Sequence, residues 1–469
     1  MFRVIESPEE GKSFDGISLF VNKMPVKAEL CRVSALPFNT PWPGHQRPIE
    51  QSEEAGFIRI VSDEKIELEV RYKRGFQRAV VRPLSKNIRV SADGTKACFT
   101  LEREGQYVLE LDDEHTALHI FVERPRDFSK YGTPTRVFGA GLHKAGKIVL
   151  RSGDRIFIDE GALVKGVLVK GVLYGKGVKD VAVYGYGVID GGEEVRLSPD
   201  CYGEETNGCL KFYESENLRI EGITLTDSAV WVCNLFACRD VVLDDIKIVG
   251  HWKYNCDGID IVNSSWVEIR DSFIRAFDDV ITLKGIVPYR HLPLEEISVK
   301  NCVLWCGWGR TLEIGLETLA EYYRGISFTD CDLIHNSAVA IDIQSGDYAE
   351  IYDIKYRNIR VEYQNSILPE QMENPIGSPY VGYGKPHAPT FIKICTWPYF
   401  LGSPFEKYDE ELAAARVGRR AKIHDITFEN VTAFVEEGGV LPETVINVEE
   451  PASLGKITFK NVNTRILSK

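Results

Sequence analysis

Three aspartates carry the chemistry this sequence offers most plainly: Asp257, in Asn255-Cys-Asp-Gly-Ile-Asp, and the pair Asp278-Asp279, in Phe277-Asp-Asp-Val-Ile-Thr-Leu. Asp257 lies three residues before Asp260 of Ile259-Asp-Ile, and Asp279 three before Thr282 of Ile281-Thr-Leu. Both intervals, Asp257 to Asp279 and Ile259 to Ile281, are 22 residues, so the two aspartates should stack on consecutive turns of a strand repeat, roughly 4.8 Å apart. Three carboxyls so close cannot ionise independently, and their repulsion raises at least one pKa. One carboxylic acid that protonates a leaving oxygen, beside carboxylates that activate water, is the chemistry of glycosidic bond hydrolysis. A lone Asp-Asp pair would more simply cap a strand turn; the third aspartate in register, after the aromatic stretch His251-Trp-Lys-Tyr-Asn255, favours catalysis. No clustered His or further carboxylate completes a metal shell, so no metal or cofactor is expected.

What must position these residues is a repeat. One ladder has the form apolar-x-apolar-x-Asn/Asp: Val267 to Asp271, Ile297 to Asn301, Ile326 to Asp330, Ile354 to Asn358, Ile426 to Asn430 and Ile457 to Asn461. Its closing residues from 271 to 358 are 30, 29 and 28 apart, which is short for a βα unit and right for one turn of a strand solenoid. The closing Asn or Asp suits a turn residue in the left-handed region. A second ladder runs out of phase with the first: Ile259, Ile281, Leu312, Ile341, Ile392 and Ile446 each open an apolar-x-apolar triplet. Two strand columns with an apolar period of two predict a right-handed parallel β-helix over about 131–469, with Ile259, Ile281, Leu312, Ile341, Ile392 and Ile446 in one inward stack. The nearly doubled intervals before Ile392 and Ile446 mark an insertion at about 365–420, aromatic and Gly-rich around Tyr380–His387, with a helix near 410. Such a loop walls a binding cleft, lies exposed to solvent or forms a homo-oligomer contact. Before the solenoid, residues 1–130 read as short alternating strands broken by turns, an antiparallel β-sandwich.

The whole chain has 469 residues, 44% of them apolar, which is enough for a large core in two domains. Its net charge of −13, with no basic block, argues against nucleic acid or an anionic membrane as partner and accommodates a neutral substrate, here a carbohydrate on the aspartates' chemistry, more easily. No secretory leader or long apolar span is legible, and the 11 Cys have no CxxC pairing and fall mostly in apolar strands. Buried free thiols in a cytoplasmic protein are the expectation.

The Asn255-Cys-Asp-Gly segment followed by Asp278-Asp279 resembles the paired signatures of polygalacturonase-like β-helix glycoside hydrolases, and a preceding sandwich resembles the dextranase and isopullulanase branch of that clan. The resemblance implies an inverting mechanism, with Asp278 as general acid and Asp257 and Asp279 holding and deprotonating the water. Two features depart from it. Gly307-Trp-Gly309 stands where polygalacturonases carry Gly-His-Gly, and no Arg-Ile-Lys triplet follows to grip a uronate carboxylate. A neutral, dextran- or glucan-like oligosaccharide is therefore favoured over pectin.

Around the aspartates, Arg310 holds the same position one turn on, where it either lowers an aspartate pKa or pairs with Glu313. Trp252 and Trp308 flank the column, and His251, Asn255, Lys284, Glu313, Gln344 and Asp347 border the same face, each a candidate sugar contact. Lys284 is also placed to neutralise the acids. Three rival readings remain: an exo-acting uronidase of the polygalacturonase type, a β-helix polysaccharide lyase, and a non-catalytic carbohydrate-binding solenoid.

Overall fold

The computed structural model describes residues 2–8, 11–35, 49–166, 172–194, 208–363, 389–396, 419–450 and 453–467. The aromatic loop and helix expected within 365–420 lie outside them, apart from the strand Thr390–Thr396. Every long element among the described residues is a β-strand.

The N-terminal strands form two facing sheets. One joins Phe2–Ile5, Glu29–Ser34, Ser52–Ser62, Ala79–Arg82, Gly105–Leu111 and Asp113–Glu123; the other joins Ser18–Val21, Met24–Val26, Ile66–Arg71, Ser91–Ala92 and Lys96–Leu101. Period-two alternation does the work here: in Ile66–Arg71 the residues Ile66, Leu68 and Val70 point into the shared core while Glu67 and Arg71 face out. Pairing is antiparallel as expected except between Ser52–Ser62 and Asp113–Glu123, which run parallel.

From Arg136 onward the chain winds into a right-handed parallel β-helix. The first ladder stacks in register, Val267 on Ile297, Ile326, Ile354, Ile426 and Ile457. Its closing residues adopt positive φ, from 51° at Asn301 to 58° at Asp330. Their side chains form a polar row on the outside: Asn301 donates to Asp271 (2.6 Å), Asn358 to Asp330 (2.8 Å), Asn430 to Asn358 (3.1 Å) and Asn461 to Asn430 (2.9 Å). The second ladder also stacks, Ile259 on Ile281, Leu312, Ile341 and Ile392. Ile446 departs from the expected stack. A register shift beside Ile392 pairs that residue with Thr444, and Ile446 falls beneath Ile394 instead, 44% exposed on the last strand of this column among the described residues.

The sandwich packs on one flank of the solenoid through an apolar cluster in which Phe57, Val108 and Phe121 meet Phe273, Val303 and Trp305. Buried ion pairs cross the same junction. Arg82 reaches Glu110 (2.7 Å) within the sandwich and Glu362 (2.6 Å) on the solenoid, and Lys247 of the solenoid pairs with Glu123 (2.5 Å). Phe273 begins the strand Phe273–Ala276 that leads directly into Asp278, so this contact braces the turn bearing the aspartates.

Candidate active site

Asp257 and Asp279 each end a turn just before a strand of the second column, Ile259–Val262 and Ile281–Gly285. The Gly258 amide donates to the Asp279 carbonyl (2.8 Å) and the Ile259 amide to the Val280 carbonyl (2.9 Å), which places the two aspartates on consecutive coils. Asp278, one residue earlier, accepts from the Asn255 amide group (3.5 Å). A Cβ on Gly309 would come within 2.4 Å of an oxygen of both Asp278 and Asp279. Those oxygens therefore lie within about 5 Å of one another, and the coil above closes on them only because residue 309 has no side chain. Gly309→Ala should accordingly displace both carboxylates and reduce kcat by about 10²-fold, the usual cost of misplacing a reacting group by an ångström. Steady-state kinetics beside a melting curve would check it, and unchanged kcat in a folded Ala variant would exclude the pair from the chemistry.

The three carboxyls are buried and differ in environment. Burial, reinforced by the charges of Asp257 and Asp279, pushes Asp278 well above the usual carboxyl range. Burial also acts on Asp279, but the cations of Arg310 and Lys284, a hydrogen bond from Glu313 and the Arg310 amide (2.9 Å) more than offset it and hold Asp279 below its ordinary value. Asp257 is pushed up to about 7 by burial, against the pull of Lys284. The cluster thus sets a carboxyl that favours its proton beside one that favours its charge, separated in proton affinity by their surroundings.

Lys284 is the cation at its centre. Its Nζ lies 2.8 Å from Asp257, 3.1 Å from Asp260 and 3.9 Å from Asp279, over the Trp231 ring at 4.0 Å, with the side chain 6% exposed. Arg310 lies 3.6 Å from Asp279, 3.8 Å from Glu313, which is buried and not at the surface, and 3.7 Å from Asp342, with its own side chain one third exposed. Gln344 donates to Asp342 (2.7 Å) and Glu313 (3.5 Å) and accepts from Lys393 (3.2 Å). Asn255, Asp257, Asp278, Asp279, Lys284, Arg310, Glu313 and Gln344 therefore form one connected network. Trp308 closes its edge, stacked on Phe277 at 5.9 Å.

Three anticipated residues fall outside this network. His251 is buried, its ring nitrogens held by the Ser228 amide (3.3 Å) and the Leu225 carbonyl (3.2 Å). The Trp252 indole donates to Asp227 (3.1 Å), one coil earlier. Asp347 is buried in a later turn, its amide on the Thr318 hydroxyl (2.9 Å). Sequence reasoning passed over Asp260, Asp342 and Lys393 as functional residues. Register aligns Asp260, Thr282, Glu313, Asp342 and Lys393 in one outward column. The signal was the central residue of each second-ladder triplet, polar in every case and too regular for a solvated face.

Residues 158–372 match the model for Glycosyl hydrolases family 28. A probable polygalacturonase of Arabidopsis thaliana is 25% identical over 211 residues, 42% of this chain and 46% of that protein. An exopolygalacturonase of Zea mays is 22% identical over 274 residues, 54% of this chain and 55% of that protein. The chain thus spans about half the length of the curated relatives it matches. Among solved structures, Dex49A from Penicillium minioluteum superposes with a TM-score of 0.56 at 13% identity, covering 98% of this chain and 90% of that one. The resemblance to polygalacturonase-like β-helix glycoside hydrolases holds, and the likeness in fold extends over the sandwich as well as the solenoid.

Proposed function

We propose that the protein hydrolyses glycosidic bonds, with Asp278 as general acid and Asp257 and Asp279 holding the attacking water. The observation that carries this reading is the opposed electrostatics of adjacent carboxyls: Asp278 raised by burial and its acidic neighbours, Asp279 lowered by Arg310 and Lys284. Asp257 serves best as base. One of its oxygens is fixed by Lys284, the other is buried without a hydrogen-bond partner among the described residues, and its pKa of about 7 matches the proton it must accept.

Inversion is the expected outcome. Proton NMR of the first product should show the anomer opposite to the substrate's; a retained configuration, or a glycosyl ester trapped on any of the three aspartates, would overturn the assignment.

For the cleaved sugar we propose a neutral residue. Lys284 is consumed by three aspartates, and Arg310 is shared among Asp279, Glu313 and Asp342, so a uronate carboxylate there would meet acids whose cations are already engaged. An exo-acting uronidase is the second reading, favoured by the partial exposure of Arg310 and by the exopolygalacturonase relative. Reducing-sugar release from neutral glucose- and galactose-linked oligomers against galacturonate oligomers separates the two.

A further inference from the structure

Six carboxyls lie buried in and beside the aspartate network, Asp257, Asp260, Asp278, Asp279, Glu313 and Asp342, and three cations meet them, Lys284, Arg310 and Lys393. Three cations cannot carry six charges out of water, so part of the set stays neutral by keeping protons. Glu313 is a member whose proton the geometry locates. It stands between Thr282 and Asp342 in the outward column. Arg310 is shared among Asp279 (3.6 Å), Glu313 (3.8 Å) and Asp342 (3.7 Å). Asp279 has a second cation in Lys284 (3.9 Å) and the Arg310 amide besides (2.9 Å), and Asp342 has Lys393 (4.0 Å) and the Gln344 amide group (2.7 Å). Among the described residues Glu313 has no second cation within ion-pair reach, only the Gln344 amide group at 3.5 Å and the Thr282 hydroxyl at 3.2 Å.

A hydrogen bond joins Glu313 to Asp279. Ionised carboxylates only accept, so that contact requires a proton between the two. Asp279, next to both cations, is the side that gives the proton up, and Glu313 is the side that keeps it. Burial and the charge of Asp279 act in the same direction on Glu313, pushing it well above the usual carboxyl range against the pull of Arg310. The other titratable groups that face it offer no competing proton or charge: Asp342 is a further acid, and the Tyr323 phenol spends its hydrogen on the Glu317 carbonyl (3.2 Å). We propose that Glu313 is a positioning residue that keeps its proton while Asp279 is ionised and donates it to Asp279, fixing the charge and direction of that carboxylate without itself touching the substrate. Its part in turnover rests on the glycoside hydrolase reading; its protonation does not.

Infrared difference spectroscopy of the full chain, native minus Glu313→Gln near neutral pH, reads the proton directly. A carboxylic acid C=O band should be present in the native chain and lost in the variant; loss of a carboxylate band with the acid region unchanged overturns the proposal. Kinetics read the role, on whichever oligomer is cleaved in the reducing-sugar comparison. Glu313→Gln still donates, from its amide, and should lose no more than about threefold in kcat, whereas Glu313→Leu fills the space without a donor and should lose about tenfold or more with KM nearly unchanged, the worth of one hydrogen bond to a charged group. A residue needed only for packing would leave Glu313→Leu near native, and one needed for its charge would make Glu313→Gln fail as badly as Glu313→Leu; either result overturns the proposal. Where Glu313→Leu does not fold, a loss of about tenfold in Glu313→Gln is enough to overturn it. Should no oligomer be cleaved, it is the glycoside hydrolase reading that fails, and the infrared spectrum still decides whether Glu313 holds the proton.

Discussion

Asp278→Asn is expected to lower kcat by about 10²–10⁴ while leaving substrate binding nearly unchanged, since general acid catalysis contributes that much and acts only as the leaving oxygen takes up charge. Asn keeps the shape of the side chain and its place beside Asn255 and Gly309, so the loss reads the proton rather than the packing. The same substitution should alter the pH profile. In the native chain the alkaline limb follows loss of the proton that burial and the charges of Asp257 and Asp279 hold on Asp278. Asn has no proton to lose there, so the alkaline limb should flatten. Asp279 stays ionised to low pH beside Arg310 and Lys284, and the acid limb should therefore follow Asp257 and persist in the variant. Near-native turnover with an unchanged profile would remove Asp278 from the mechanism.

How far the sequence speaks depends on which interactions are periodic. The solenoid was legible because each coil repeats the same inward apolar pair and the same left-handed Asn or Asp, so that errors of register would break many contacts together. Ile446 escaped because its coil is the last one, and without a neighbour above it nothing forces the slipped register to show in the apolar pattern. Asp257 and Asp279 were legible for the same reason as the core, by equal spacing. The depth of the cluster was not, because period-two reasoning assigns outward residues to solvent, whereas the acids of the outward column from Asp260 to Asp342 are buried and meet the cations of Lys284, Arg310 and Lys393.

His251 and Trp252 are engaged elsewhere, His251 with the Ser228 amide and the Leu225 carbonyl and Trp252 with Asp227, so neither joins the hydrogen-bond network of the aspartates. Lys284 was read with two roles, a sugar contact and a counter-charge. Its distance of 2.8 Å from Asp257 and its burial beneath Trp231 support the second.

Lys284→Met provides the test of that counter-charge. Removing one partner from a buried ion pair typically costs about 3–5 kcal/mol, because the carboxylates left behind remain out of water; here both Asp257 and Asp260 lose their cation. A clear fall in melting temperature is therefore expected, with Met filling most of the volume of the Lys stem. The more informative effect is on the proton equilibrium. Burial already pushes Asp257 up to about 7, and the Lys284 charge is what opposes it. Without that charge the ionised form is disfavoured further, so the base is reached only at higher pH and the acid limb of kcat/KM should move upward. A purely structural lysine would lower the melting temperature and leave the limb in place. Because Asp279 keeps Arg310 at 3.6 Å, it should remain ionised in the variant, and activity at the shifted optimum should be reduced but measurable. A folded Met variant with the native acid limb would show that Asp257 is not the group whose ionisation governs the reaction.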